Sequence, residues 1–163
     1  MRFDRGVQRD DPTRQVAPPH RLPAGLADPV GEPQASNFRL EDYPVPTPGA
    51  GEVLLRTIWL SLDPYMRGRM DESKSYAASQ QIDEVMIGGT VGEVVESKHP
   101  KFKTGDQVVG MGGWQEYSVV DGNAPGMLRK VDTTHVPLSY YLGAVGMPGV
   151  TAWYGLTQII APK

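Results

Sequence analysis

The residues in this chain that could do chemistry are few and of uneven promise. Tyr65, Met66 and Arg67 sit together in the run DPYMRGR, directly after a strongly apolar stretch. Arg67 and Arg69 could pair with a carboxylate-bearing substrate, although solvated or interdomain ion pairs account for most such arginines. Asp63 stands before Pro64, where a carboxylate can accept from exposed amides and proline costs no donor, so it reads as a helix cap rather than a catalytic base. His20, His99 and His135 lie in unlike surroundings with no HxxxH or carboxylate spacing to gather ligands, and all three are expected at the surface. With no cysteine, there is no thiolate metal site, disulfide framework or cysteine nucleophile. No GxGxxG-type turn follows a strand, so nothing in the sequence is set up to cradle a pyrophosphate.

The elements that must position these residues are mostly strands. Glu52 to Leu62, EVLLRTIWLSL, alternates as a half-buried strand and turns apolar on both faces towards its end, which should run it into the core. Asp63-Pro64 then opens a helical turn carrying Tyr65, Met66 and Arg67. From Thr90 to Glu96 a second alternation puts Val91 and Val95 on one face and Val94 on the other. Lys103 to Asp106 is a tight turn, Gln107 to Gly110 a strand, Trp114 to Val120 another, and Met127 to Val131 a short one. Glycines at 88, 89, 92, 105, 110, 112 and 113 suggest the corners of a small barrel, or places where something approaches the backbone.

The ends of the chain differ from its middle. Residues 1–19 show neither period two nor period 3.6 and read as a mobile arm. Residues 20–33 are interrupted by Pro23, Gly25 and Pro29, so any strand there is short. Phe38 to Leu40 is a better strand candidate, and prolines at 44, 46 and 48 make a stiff connector. Asp71 to Glu84 is read as a loop. Ser139 to Val145 and Pro148 to Ile160 carry helical spacing, and the second helix is apolar around much of its circumference. Such a helix normally lies between two layers, so it reads as a junction awaiting a partner.

Composition excludes several classes. The 163 residues include 19 Gly and 15 Pro, a punctuation that favours β structure with many turns. The net charge of -3 and the lack of a basic stretch interleaved with aromatics argue against nucleic acid. No apolar run approaches the roughly 20 residues that span a bilayer, and no signal-peptide core is present, so no membrane role is expected and a cytoplasmic setting fits.

Three segments together carry a resemblance: GEVLLRTIWLSLDPYMRGRM at 51–70, IGGTVGEVVES with KTGDQVVG at 87–110, and LGAVGMPGVTAWYGL at 142–156. They resemble the zinc-independent medium-chain dehydrogenase/reductases, within them the NADPH-dependent alkenal/one oxidoreductases. The likeness spans roughly residues 29–163. It implies a mainly β, GroES-like, partly open barrel over 20–137, with short helices over 138–163 leading to a Rossmann domain that this chain lacks. It implies an NADP(H)-dependent reduction of an enone or enal, with hydride going to the β-carbon and no metal. The isolated chain would be inactive or nearly so and would not bind NADP(H) tightly.

By the same resemblance Tyr65, Met66 and Arg67 would face substrate, with Tyr65 donating a hydrogen bond to a carbonyl. Read without it, Tyr65 could as well be a core-lining aromatic at a strand-helix corner. Gly146, Met147 and Thr151 would lie beside the nicotinamide, although sequence alone would make them helix-packing residues. Tyr65, Met66 and Trp59 would give a pocket suited to a small apolar substrate. A nucleotide-binding domain or partner chain would cover the 148–160 helix, and left bare that helix would drive self-association into a homo-oligomer. The alternative is a non-catalytic small-barrel module for binding or oligomerisation.

Overall fold

The computed structural model describes residues 20–21, 29, 31–40, 44–71 and 78–162. The expected arm over 1–19 lies outside the described residues, as do Leu22, Leu26, Val30 and residues 72–77 of the loop read between Asp71 and Glu84.

The chain is mainly β. A short pair, β1 (His20–Arg21) and β2 (Arg39–Leu40), is antiparallel. The main sheet is built from β3 (Glu52–Leu60), β4 (Thr90–Ser97), β5 (Gln107–Gly110), β6 (Tyr117–Asp121) and β7 (Leu128–Lys130). It is antiparallel in the order β6-β3-β4-β5-β7 and curls into a half-barrel, with short helices towards the C-terminal end. Helix α1 (Tyr65–Arg69) follows β3, and α2 (Met147–Tyr154) runs on into a π-helical stretch, Gly155–Ile160. Two 3-10 turns, Ala35–Asn37 and Leu138–Leu142, are the remaining regular elements among the described residues.

Two bulges bend the central strand pair. Leu54 pairs with Glu96 and Leu55 with Val94, so Val95 is skipped; Thr57 pairs with Gly92 and Trp59 with Val91, so Ile58 is skipped. Each unpaired residue kinks its strand and resets the alternation of faces. The expected face assignment of Val91 with Val95 is therefore overturned: Val91 and Val94 are both fully buried, and Val95 is exposed. The double-sided burial of β3 also falls at its beginning, where Val53, Leu54 and Leu55 are buried in succession, and Leu62, beyond the strand, is 57% exposed.

Val53, Leu55, Val94, Val108 and Val120 form the barrel core, with Phe102 and Leu128 packed against it. The turn before β5 is as expected: Asp106 and Lys103 exchange backbone and side-chain bonds at 3.0 and 2.8 Å, and Gly105 takes a φ of +87°. His99 corrects the surface expectation. It is 5% exposed, its Nδ1 accepts from the Lys101 amide at 3.1 Å, and its Nε2 lies 3.0 Å from Asn123 Oδ1. Nothing local in the sequence marks it for burial, because the turn that covers it arrives 24 residues later.

Candidate functional site

Strand β3 delivers the chain to α1, where the expected cap takes a different form. The Asp63 carbonyl accepts from the Met66 amide at 3.0 Å, while its carboxylate accepts from the Ser61 hydroxyl at 3.0 Å. The residue that opens the helix is Pro64, with no side-chain cap. The Asp63 side chain thus ties the end of β3 to the helix instead of capping it.

Met66 of α1 and Met70, directly after it, turn inward and meet Met86 in a second core, each 3% exposed or less. Phe38, Tyr65, Ile87 and Trp114 pack against them, and the Phe38 and Trp114 rings stack with centroids 5.5 Å apart. Gly88 makes this closure possible, since a Cβ there would stand 2.8 Å from Leu60 and 3.0 Å from Met66. Tyr65 is half-buried in the wall, and Met66, expected to face substrate, is buried behind it. Thioethers adapt to irregular apolar shapes, so the buried methionines fill the space behind the half-buried Tyr65, Ile87 and Trp114, which give the wall an apolar face. The sequence marks Phe38 only as the start of a short strand and does not single out Met86; neither lies in a run long enough to assign it to this wall.

Arg67 is engaged within the chain. Its Nε donates to the Gly31 carbonyl at 2.9 Å, Nη2 to the Pro29 carbonyl at 2.7 Å, and Nη1 to Asp71 at 2.5 Å. Arg69 donates to the Ala78 carbonyl. The substrate-facing expectation for Arg67 thus meets a guanidinium already bonded on three sides.

The second group of residues lies at the start of α2. Met147 is 79% exposed, and the Thr151 hydroxyl, one turn on, donates to the Met147 carbonyl at 2.8 Å. That bond leaves the Thr151 oxygen free to accept. Gly146 and Gly149 have internal reasons to be glycine: a Cβ on either would collide with the carbonyl oxygen of Tyr141 or Ala144. The 3-10 turn Leu138–Leu142 packs on β4 and brings Leu142 beside Gly89, next to the Gly88 of the methionine wall. Tyr141 anchors that turn by donating to the Asp132 carbonyl at 2.5 Å.

Displaced protonation equilibria occur on the sheet. Arg56, Glu93 and Tyr117 stand in one row across β4, β3 and β6, with Arg56 and Glu93 paired at 2.8 Å. Burial pushes the neighbouring Glu116 carboxyl up, with Arg56 opposing, and burial likewise raises the Tyr117 phenol. The Lys130 ammonium, 2.6 Å away, holds Asp106 below the usual carboxylate range. Among the described residues no group of three or more His, Asp or Glu side chains could hold a metal ion, and no helix is long and apolar enough to cross a membrane.

Comparison with known proteins agrees with this architecture. A family model for the N-terminal domain of oxidoreductase matches residues 26–128. The chain is 51% identical over 135 residues to the NADPH-dependent curcumin reductase of Escherichia coli (strain K12), covering 83% of this chain and 38% of that protein. It is 39% identical over 138 residues to the NADP(+)-dependent 2-alkenal reductase of Nicotiana tabacum, covering 82% and 40%. Among solved structures, CurA from Vibrio vulnificus in complex with NADPH superposes with a TM-score of 0.76 at 48% identity, over 89% of this chain and 41% of that one. The chain therefore spans less than half the length of the relatives it matches.

Proposed function

The chain belongs to the family of oxidoreductase N-terminal domains, and on that premise we propose that it forms the substrate side of an NADPH-dependent reductase of α,β-unsaturated aldehydes and ketones. The observation that carries the reading is the half-buried Tyr65 of α1, a phenol set in an otherwise apolar wall with Ile87, Trp114 and the three buried methionines. Tyr65 donates a hydrogen bond to the substrate carbonyl, where negative charge gathers as the β-carbon is reduced; donors aimed at developing charge in a dry site contribute most to such steps. The half-buried Tyr65, Ile87 and Trp114, with Trp59, would accept the hydrocarbon body of the substrate, and the methionines buried behind the wall back that surface and keep water out.

Met147 and Thr151 would hold the nicotinamide end of NADPH, the thioether against the ring and the hydroxyl oxygen accepting from the carboxamide. The fit rests on their exposure at the first turns of α2 and on the acceptor that Thr151 retains. The bound cofactor supplies the hydride. The bare apolar surface of α2 supports a further part of the reading: a nucleotide-binding unit covers it, and the 163-residue chain by itself binds NADPH weakly, is inactive and self-associates.

The test is a chimera in which residues 29–163 replace the matching segment of the E. coli curcumin reductase. It should consume NADPH when given a neutral enone, and Tyr65→Phe should lower kcat by about a hundredfold, the scale of losing one oxyanion donor. A chimera that binds NADPH yet leaves the enone unreduced would sink the reading.

A further inference from the structure

We infer that Arg67 is a positioning residue that closes the aromatic side of the apolar wall, and that the site in consequence selects neutral enones and enals over the corresponding unsaturated carboxylates. The inference rests on the substrate-side reading above. Arg67 bonds the carbonyls of Pro29 and Gly31 through two of its nitrogens. That fork fixes the start of the segment that runs through the 3-10 turn Ala35–Asn37 to Phe38. The turn is itself locked, with the Gln34 amide donating to Asn37 Oδ1 at 2.7 Å. Phe38 is thus carried from a pinned origin onto Trp114, and α1 is held from outside by Arg67 and from inside by Met66. Tyr65, immediately before them in α1, shares the turn that these contacts fix.

The same bonds bear on substrate charge. The third Arg67 nitrogen meets Asp71 at 2.5 Å, so the cation is compensated and each of its three nitrogens is already engaged within the chain. A substrate carboxylate would have to displace Asp71 and at least one carbonyl to be recognised. Lysine could not replace this arrangement, because a single ammonium lacks the fork that reaches diverging acceptors.

Two independent readouts test the proposal. In the 163-residue chain, Arg67→Met and Arg67→Lys should both shift the Trp114 indole N–H resonance as Phe38 leaves the stack, while circular dichroism stays that of the parent. An unmoved Trp114 resonance would overturn the positioning role, and this arm needs no turnover. In the chimera, both variants should lower kcat/KM for a neutral enone by about tenfold, a modest misplacement effect, with the ratio of enone to enoate turnover unchanged. Selective loss of enoate turnover, or an enoate used as readily as the enone by the unsubstituted chimera, would overturn the charge selection. Asp71→Asn keeps the fold's acceptor but uncovers the cation, and should raise enoate turnover several-fold. Failure of the substrate-side reading is distinguishable: the unsubstituted chimera would then reduce no enone, whatever Trp114 reports.

Discussion

Gly92 of β4 lies so close to Arg56 of β3 that a Cβ on the glycine would overlap the Arg56 carbonyl oxygen. The contact sits one residue from the bulge at Ile58, where the two backbones are forced together. Backbone cannot yield as a flexible side-chain end can, so Gly92→Ala must part the two central strands.

Gly92→Ala is expected to cost more than about 2 kcal/mol of unfolding free energy, in the range of strain imposed on packed cores. Gly68→Ala is its control. Gly68 is exposed within α1 and has nothing within 4 Å of an added Cβ, so helix propensity should stabilise the chain by roughly 0.5–1 kcal/mol. Urea unfolding of the two variants beside the parent checks both signs, and equal costs would refute the close-approach account.

His99 supplies a second prediction. Its Nδ1 accepts from the Lys101 amide, so the proton must sit on Nε2 and be donated to Asn123 Oδ1. Asn123 in turn donates to Asp121 at 3.1 Å, and Gly122 lies against the ring face, where a Cβ would come within 2.7 Å. His99→Phe keeps an aromatic ring but strands the Lys101 amide and the Asn123 oxygen, a loss of about 1–3 kcal/mol. Imidazole nitrogen shifts at neutral pH should show the Nε2–H tautomer; the other tautomer would contradict the bonding.

Two carboxylates should give stability opposite slopes with pH. Asp106 is held below its ordinary value of 3.8 chiefly by the hydrogen bond from Lys130. Its contribution is present above that value and is lost as pH falls through the lower folded value. Asp106→Asn should therefore weaken the chain at neutral pH and match the parent in strong acid. Glu116 is raised above 4.5 chiefly by burial, and its Oε2 has no hydrogen-bond partner among the described residues. Its contribution is full below 4.5 and is lost as pH rises through the raised folded value. Glu116→Gln should stabilise the chain at neutral pH and change little near pH 4. Unfolding midpoints measured across that range would show the two variants diverging in opposite directions.

These positions also show what the sequence made legible. Strand β5 was readable to the residue, and β3 and β4 nearly so, because apolar alternation is a local signal. The bulges at Ile58 and Val95 were not, since a skipped pairing leaves no mark on residue type, and the face of Val95 was lost with them. The glycine count announced close approaches without saying which partner; only the register assigns Gly92 to Arg56. At the site, Tyr65 stood out by its motif, while Phe38 and Met86 come from opposite sides of β3 in sequence and meet only through the fold. The three-way engagement of Arg67 depends on Pro29 and Gly31, more than 35 residues away, a distance no spacing rule covers.

The last prediction concerns α2 and the stretch after it. Val150, Trp153, Tyr154, Leu156, Ile159 and Ile160 are 51–74% exposed, and neither element buries a residue. Side chains already in water add little to unfolding free energy, so Trp153→Ser with Ile159→Ser should change it by less than about 0.5 kcal/mol. The same change removes much of an apolar patch of the kind that soluble monomers rarely leave uncovered. Sedimentation should therefore find the parent chain associated at concentrations where the double variant is monomeric, with the two equally resistant to urea. A parent chain that sediments as a single monomer would refute self-association through this surface, and a double variant that unfolds early would show that α2 packs against the half-barrel after all.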